Sequence, residues 1–220
     1  MTAQKSALVF GATGLIGGHL LQELLNSPVY GDVRAVVRRE IANSHPKLRQ
    51  LVSDYQSINE LKADLAADDI FCCLGTTRKK TPNLQDYYRI DHDYPVMAAR
   101  LAKACGGQTF LLVSAVGADA DSSNFYLRMK GETERDVSTV GFKKLHIFRP
   151  SLLTGRRQET RWLERLSEGL LAVINPLLIG RWKRYRSIPA ATVARAMYRA
   201  AQRDITGIHI HYGDEMRDRT

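Results

Sequence analysis

The sequence predicts an α/β fold: a Rossmann-like doubly wound parallel sheet with helices on both faces and a small C-terminal substrate lobe. Three observations predict it. Short apolar runs alternate with segments of helical period along the chain. A glycine-spaced turn, Gly11-Ala12-Thr13-Gly14-Leu15-Ile16-Gly17, follows the first run and opens the first helical segment. The length of 220 residues suits a single domain, 1–220, with residues 151–190 adding the lobe.

Each element follows from local pattern. Residues 6–10 form an apolar run ending in glycine, as a buried parallel strand does. From Leu15 to Asn26, the residues Ile16, Leu20, Leu24 and Leu21, Leu25 recur at helical spacing, and Asn26-Ser27-Pro28 ends the helix. Strands are expected at residues 33–37, 50–52 and 69–74, with a short helix over 58–65 between the last two. Residues 76–83 are polar and basic and read as a loop. The helix after them should break or kink near Pro95 and stop at Gly106-Gly107. Residues 110–113 read as a central strand, 126–140 as a helix and 145–148 as a strand. An irregular segment follows Pro150. Helices at 159–174 and 190–202 and a strand at 207–210 complete the pattern.

Bulk properties narrow the class. No apolar run approaches the roughly 20 residues of a membrane span. The N-terminus runs almost directly into a strand, leaving no room for a secretory signal. Three cysteines, Cys72, Cys73 and Cys105, make neither a disulfide framework nor a zinc set, which points to a reducing, cytoplasmic setting. The formal charge is +9, and residues 156–186 hold eight Lys/Arg against three Glu. A solvated face explains such a run. An anionic ligand explains it more specifically. Nucleic acid would use it too, but no recognised nucleic-acid motif accompanies it.

The glycine turn suits a dinucleotide pyrophosphate. Its glycines allow a tight turn and close backbone approach, and the helix it opens presents free N–H groups to an anion. Thr13, Gly14, Leu15 and Ile16 lie between its outer glycines. An NAD site usually carries Asp or Glu at the end of the second strand, on the ribose 2′-hydroxyl. Here Arg38-Arg39 stands there. Arginine pairs with a 2′-phosphate, so the expected cofactor is NADP(H), with Glu40 turned away. Asp54, after the third strand, reads equally as an adenine contact or a turn residue.

Tyr126 and Lys130 are four apart on one helix, hence on one face. A phenol is protonated at neutral pH, and a nearby ammonium favours the phenolate, making the tyrosine a usable proton donor and acceptor. Ser114 ends the preceding strand, where a hydroxyl could polarise a substrate carbonyl.

With these residues in this order, the chain resembles the short-chain dehydrogenase/reductase superfamily in its atypical or extended branch. The pieces are Gly11-x-x-Gly14-x-x-Gly17, Arg38, Ser114, Tyr126-x-x-x-Lys130 and Phe148-Arg149-Pro150, spread over nearly the whole chain. It is similar more closely to the subgroup of the human Tat-interacting oxidoreductase and its bacterial and fungal relatives. That likeness rests on residues 71–78, 122–132, Arg149-Pro150, Ile188-Pro189 and 193–197. The resemblance implies an NADP(H)-dependent hydride transfer to or from a small carbonyl or alcohol. Tyr126 would be the acid/base, Lys130 would bind the nicotinamide ribose, and Ser114 would orient the substrate. It also implies that Leu74, Gly75 and Thr76 pass along the cofactor, and that Pro150 and Leu152 lie near the nicotinamide. It departs from the superfamily at Asp91, where dehydrogenases often carry an asparagine of the proton relay, and at Ala115, which leaves one strand-end hydroxyl.

His92 reads as structural, and His209 and His211 lack an obvious metal-ligating partner, so no metal is expected. Trp162 and Trp182 flank the basic segment as core or lid residues. The expected partner is a small, anionic or polar substrate. The rival reading is an NADPH-binding regulatory module whose partner is another protein.

Overall fold

The computed structural model describes residues 4–55, 57–154 and 184–217. Its first half comprises β1 (Lys5–Phe10), α1 (Leu15–Asn26), β2 (Tyr30–Val37), β3 (Leu48–Val52), a 3-10 helix (Ile58–Asp64) and β4 (Asp69–Cys72). Then come α2 (Leu84–Tyr88), a π-helical stretch (Arg89–Asp93), α3 (Tyr94–Ala104), β5 (Thr109–Val113), α4 (Phe125–Ser138) and β6 (Lys144–Arg149). The described remainder holds β7 (Leu153–Thr154), β8 (Ile188–Pro189), α5 (Ala190–Ala201), β9 (Gly207–Tyr212) and α6 (Gly213–Arg217).

One seven-stranded sheet runs in the order β3-β2-β1-β4-β5-β6-β9, every pair parallel. Parallel pairing buries both faces, and the strands alternate their side chains between two apolar layers. Ala7, Val9, Phe71, Leu111 and Phe148 pack on the side of α1 and α5. Leu8, Phe10, Ile70, Phe110 and Leu112 pack on the side of α3 and the 3-10 helix. The strand order reverses between β1 and β4, and a doubly wound sheet opens its binding crevice at that reversal.

The apolar runs thus become strands where expected. Several details differ. The short helix expected over 58–65 is a 3-10 helix of residues 58–64. The β7–β8 pair, Leu153 opposite Ile188 and Thr154 opposite Pro189, has too few residues to leave a periodic signature. The expected break near Pro95 takes the form of the π-helical stretch before it. Pro95 lacks an N–H, so the Asp91 carbonyl four residues earlier loses its helical partner. Thr133 Oγ1 on α4 donates to that carbonyl instead, at 3.1 Å. The expected helix at 159–174, both tryptophans and most of the basic segment lie outside the described residues.

Candidate functional site

The glycine turn leaves no space for side chains. Gly11 has φ +78°, and a Cβ there would lie 2.6 Å from the Cys73 carbonyl oxygen. A Cβ on Gly17 would lie 2.1 Å from the Gly11 carbonyl oxygen. Gly14 is the N-cap of α1. It supplies no side-chain cap, and no acidic residue occupies the first turn. The amides at this helix start therefore face outward with a positive dipole end behind them.

In front of them lies a cleft of about 790 Å³, the size of a small-molecule site. Gly11, Thr13, Gly14 and Leu15 form one wall, with Arg38 at the end of β2. Leu74, Gly75 and Thr76 form the opposite wall. Its described lining includes Arg38 and Lys80 but no carboxylate. A backbone cradle, a free helix start and the Arg38 guanidinium at the end of β2 fit an NAD(P)H dinucleotide.

The other expected cofactor residues lie elsewhere. Ile16 and Gly17 are buried behind the cleft. Arg39 is exposed and outside the lining. Asp54 Oδ1 accepts from the Ser57 amide and hydroxyl, both at 3.0 Å, as a turn residue does. The Pro150 carbonyl accepts from the Val116 amide, and Leu152 is 60% exposed. Residues that sequence reasoning missed also line the cleft: Lys80, and Tyr55, whose ring stacks on Tyr94 with centroids 5.0 Å apart. Tyr55 has φ +70°, a conformation that no local pattern announced.

Gly75 joins this cleft to a second group. A Cβ on Gly75 would meet Asp91 Oδ1 at 3.2 Å and Lys130 Nζ at 3.9 Å. Asp91 Oδ1 pairs with Lys130 Nζ at 2.8 Å, and Oδ2 accepts from the Thr76 amide at 2.7 Å. Both charged side chains are almost wholly buried. Burial, the largest single influence, acts to lower the Lys130 pKa. Attraction to Asp91 and Tyr126 outweighs it and leaves the ammonium above its ordinary value. One turn before Lys130, Tyr126 is half-exposed, and its ring lies parallel to that of Tyr87, centroids 6.3 Å apart. Asn124 starts this helix by accepting from the Leu127 amide. Gly131 lets it approach the Asp119–Ala120 backbone, where a Cβ would lie 2.1 Å from the Ala120 nitrogen.

Ser114 is turned to a different partner. Its hydroxyl donates to Glu134 Oε1 on α4. Arg149 grips the same carboxylate, Nε to Oε1 at 2.9 Å and Nη2 to Oε2 at 2.5 Å. In this arrangement the hydroxyl is committed, and the orienting role expected of it has no free donor at Ser114.

His92 is clamped between Asp93 at 2.8 Å and Asp136 at 3.2 Å, a link between the π stretch and α4. His146, missed by sequence reasoning, sits opposite His209 in the sheet register, and its Nδ1 lies 3.0 Å from His211 Nε2. Burial first, then the neighbouring histidines, push the His146 pKa down to about 4. The same causes act on His211. Among the described residues no group of three or more His, Cys, Asp or Glu is arranged to hold a metal, the cysteines are free, and no helix is long and apolar enough to cross a membrane.

Known proteins resemble this chain over most of its length. The profile of the NAD(P)H-binding family matches residues 11–204. HTATIP2 of Rattus norvegicus is 37% identical over 200 residues, covering 88% of this chain and 79% of that protein. The protein fmp52 of Aspergillus clavatus, labelled mitochondrial, is 35% identical over 207 residues, covering 90% and 88%. Among solved structures, MoeE5 in complex with UDP-glucuronic acid and NAD matches with TM-score 0.72 at 20% identity, over 94% of this chain and 76% of that one. At that identity the likeness concerns the fold. The mitochondrial label is that of the fungal protein, and it does not bear out the cytoplasmic setting expected from the cysteines.

Proposed function

The chain belongs to the NAD(P)H-binding family, and on that premise we propose that it is an NADP(H)-dependent oxidoreductase of the atypical short-chain dehydrogenase type. It would move hydride to or from a small carbonyl or alcohol. The observation that carries this reading is the buried Asp91–Lys130 pair, one helical turn from the half-exposed Tyr126 and reached from the cleft through Gly75.

Bound in the cleft, the reduced nicotinamide supplies the hydride. The chain's own residues do the rest. The Gly11–Gly14 backbone holds the pyrophosphate, and Arg38 pairs with the 2′-phosphate. Lys130 stays cationic and holds the nicotinamide ribose. Tyr126 passes a proton at the substrate oxygen. The arginine-rich segment 156–186 favours an anionic or polar substrate.

Two measurements test this. Arg38→Ala should weaken NADPH binding about 10- to 100-fold, the worth of one charge-assisted contact, and leave NADH within about twofold. Equal losses for both cofactors would remove the case for a 2′-phosphate site. Incubation with NADPH and a panel of carbonyl compounds should give turnover that Tyr126→Phe abolishes. A wild type no faster than that variant would favour the regulatory alternative, an NADPH-binding protein without turnover, which Asp91 and the committed Ser114 also suit.

A further inference from the structure

A second hydrogen-bond donor at the substrate oxygen would fix the orientation of the carbonyl, which one donor alone leaves free to swing. Ser114 gives its hydroxyl to Glu134. Residue 115 is alanine. Thr76 Oγ1 and Thr81 Oγ1 share one hydrogen bond at 3.0 Å, which either can donate. A donor with no acceptor among the described residues stands on α2.

Tyr87 meets the requirement. It stands on α2, is 94% buried, and lies with its ring only 14° from parallel to that of Tyr126. Its hydroxyl makes no hydrogen bond to a described residue, and it is not among the atoms sealed from solvent without a partner. The ring is buried while the hydroxyl keeps solvent contact, so it can donate to a substrate oxygen without giving up a bond to a described residue. Its ring lies beside that of Tyr126, centroids 6.3 Å apart, and Tyr126 is one helical turn from Lys130, so the phenol borders the reactive cluster. Its position is fixed from both sides. Asn83 caps α2 by accepting from the Gln85 and Asp86 amides, and the Tyr88 hydroxyl donates to Glu132 on α4 at 3.0 Å.

We propose that Tyr87 is a substrate-orienting residue, donating a hydrogen bond to the carbonyl oxygen that Tyr126 protonates. The inference rests on the reading above. In the reduction, the carbonyl carbon would take hydride from the dihydronicotinamide C–H bond, leaving the oxidised ring, while the C=O π pair moves onto the oxygen. The Tyr126 O–H bond breaks, and its proton goes to the substrate oxygen. Tyr87 keeps its proton throughout. Burial chiefly, with the charges of Asp91 and Tyr126, pushes its pKa up to about 12, as suits a donor that never acts as a base.

The test uses Tyr87→Phe in the full chain, with Tyr126→Phe and Ser114→Ala beside it. Removing an unbonded hydroxyl should leave the fold and the NADPH affinity within about twofold of wild type. Calorimetry, with and without NADP+, would follow cyclohexanone, 4-nitroacetophenone and a 2-oxo acid, and turnover with NADPH would be followed in parallel. Tyr87→Phe should weaken binding of the best carbonyl by roughly tenfold and lower kcat/KM on the order of 10- to 100-fold. Ser114→Ala should change neither. Unchanged carbonyl affinity and turnover in Tyr87→Phe would overturn the proposal, as would a wild type that binds none of the panel. If Tyr87→Phe weakens carbonyl binding while nothing in the panel turns over, the orienting site stands and the oxidoreductase reading falls. If Ser114→Ala gives the losses expected of Tyr87→Phe, the second donor is Ser114.

Discussion

The glycine turn and the Asp91 cluster stand on either side of Gly75 and are built in opposite ways. The turn binds with backbone, and its shape is dictated within seven consecutive residues by the space denied to any Cβ. The cluster works with two charged side chains from different elements, Asp91 in the π stretch and Lys130 on α4, joined by the Thr76 amide after β4. The first fails by steric exclusion and the second by an unbalanced charge. Pyrophosphate binding and proton chemistry should therefore be separable by mutation, although a single glycine lies between them.

The largest expected effect strikes the cluster. Asp91→Ala strands a buried ammonium and should cost roughly 3–5 kcal/mol of stability, read from the urea midpoint. Asp91→Asn keeps an acceptor for the Thr76 amide and should cost less. Equal, small losses for both would mean that the pair holds nothing. Next comes Gly17→Ala, which forces the turn open. The clash of the new Cβ with the Gly11 carbonyl should appear as about a tenfold or larger rise in the NADPH dissociation constant, with the Asp91–Lys130 pair untouched. Wild-type NADPH affinity in that variant would break the contrast.

Two smaller effects sharpen it. The His146 and His211 rings are neutral in the folded chain down to about pH 4, against an ordinary value of 6.5. They contribute stability fully above about pH 6.5 and lose it as the pH falls toward 4, because the unfolded chain takes up protons first. After discounting for solvent contact, the loss is on the order of 1 kcal/mol for each ring. His146→Phe should flatten the dependence of Tm on pH over that window. A slope unchanged by the substitution would assign it to other groups. Smallest is Ser114→Ala. Arg149 still holds Glu134 with two hydrogen bonds, so denaturation should register about 1 kcal/mol and turnover should not move.

What the sequence disclosed follows the same division. Phe10, Phe71 and Leu111 sit in short apolar runs, and such runs become buried parallel strands without reference to distant residues. Gly11, Gly14 and Gly17 carry their own geometry. Pro95 signalled a disturbance, but its form depended on Thr133, far along the chain, reaching the orphaned Asp91 carbonyl. Asp91 was visible as a departure from a dehydrogenase pattern, though not as the partner of both Lys130 and Thr76. Glu134 drew Ser114 away because a buried serine donates to the nearest strong acceptor, and nothing within the Ser114 segment named that acceptor. His146 and Tyr87 were silent for the same reason, since their neighbours are set by sheet register and helix packing rather than by spacing.

The β7–β8 pair has a consequence for how such a protein could diversify. Leu153 and Ile188 face each other in register, and the Ile188 amide donates to the Leu152 carbonyl at 2.9 Å. The chain thus departs and returns through a two-residue clasp, whatever lies between. With both ends pinned, even doubling an inserted segment adds only about 0.6 kcal/mol of closure entropy. A stretch grafted at this clasp could be lengthened, shortened or replaced outright while Gly11, Arg38 and Lys130 kept their places. New specificities could then arise by exchange of one cassette on an unchanged chassis.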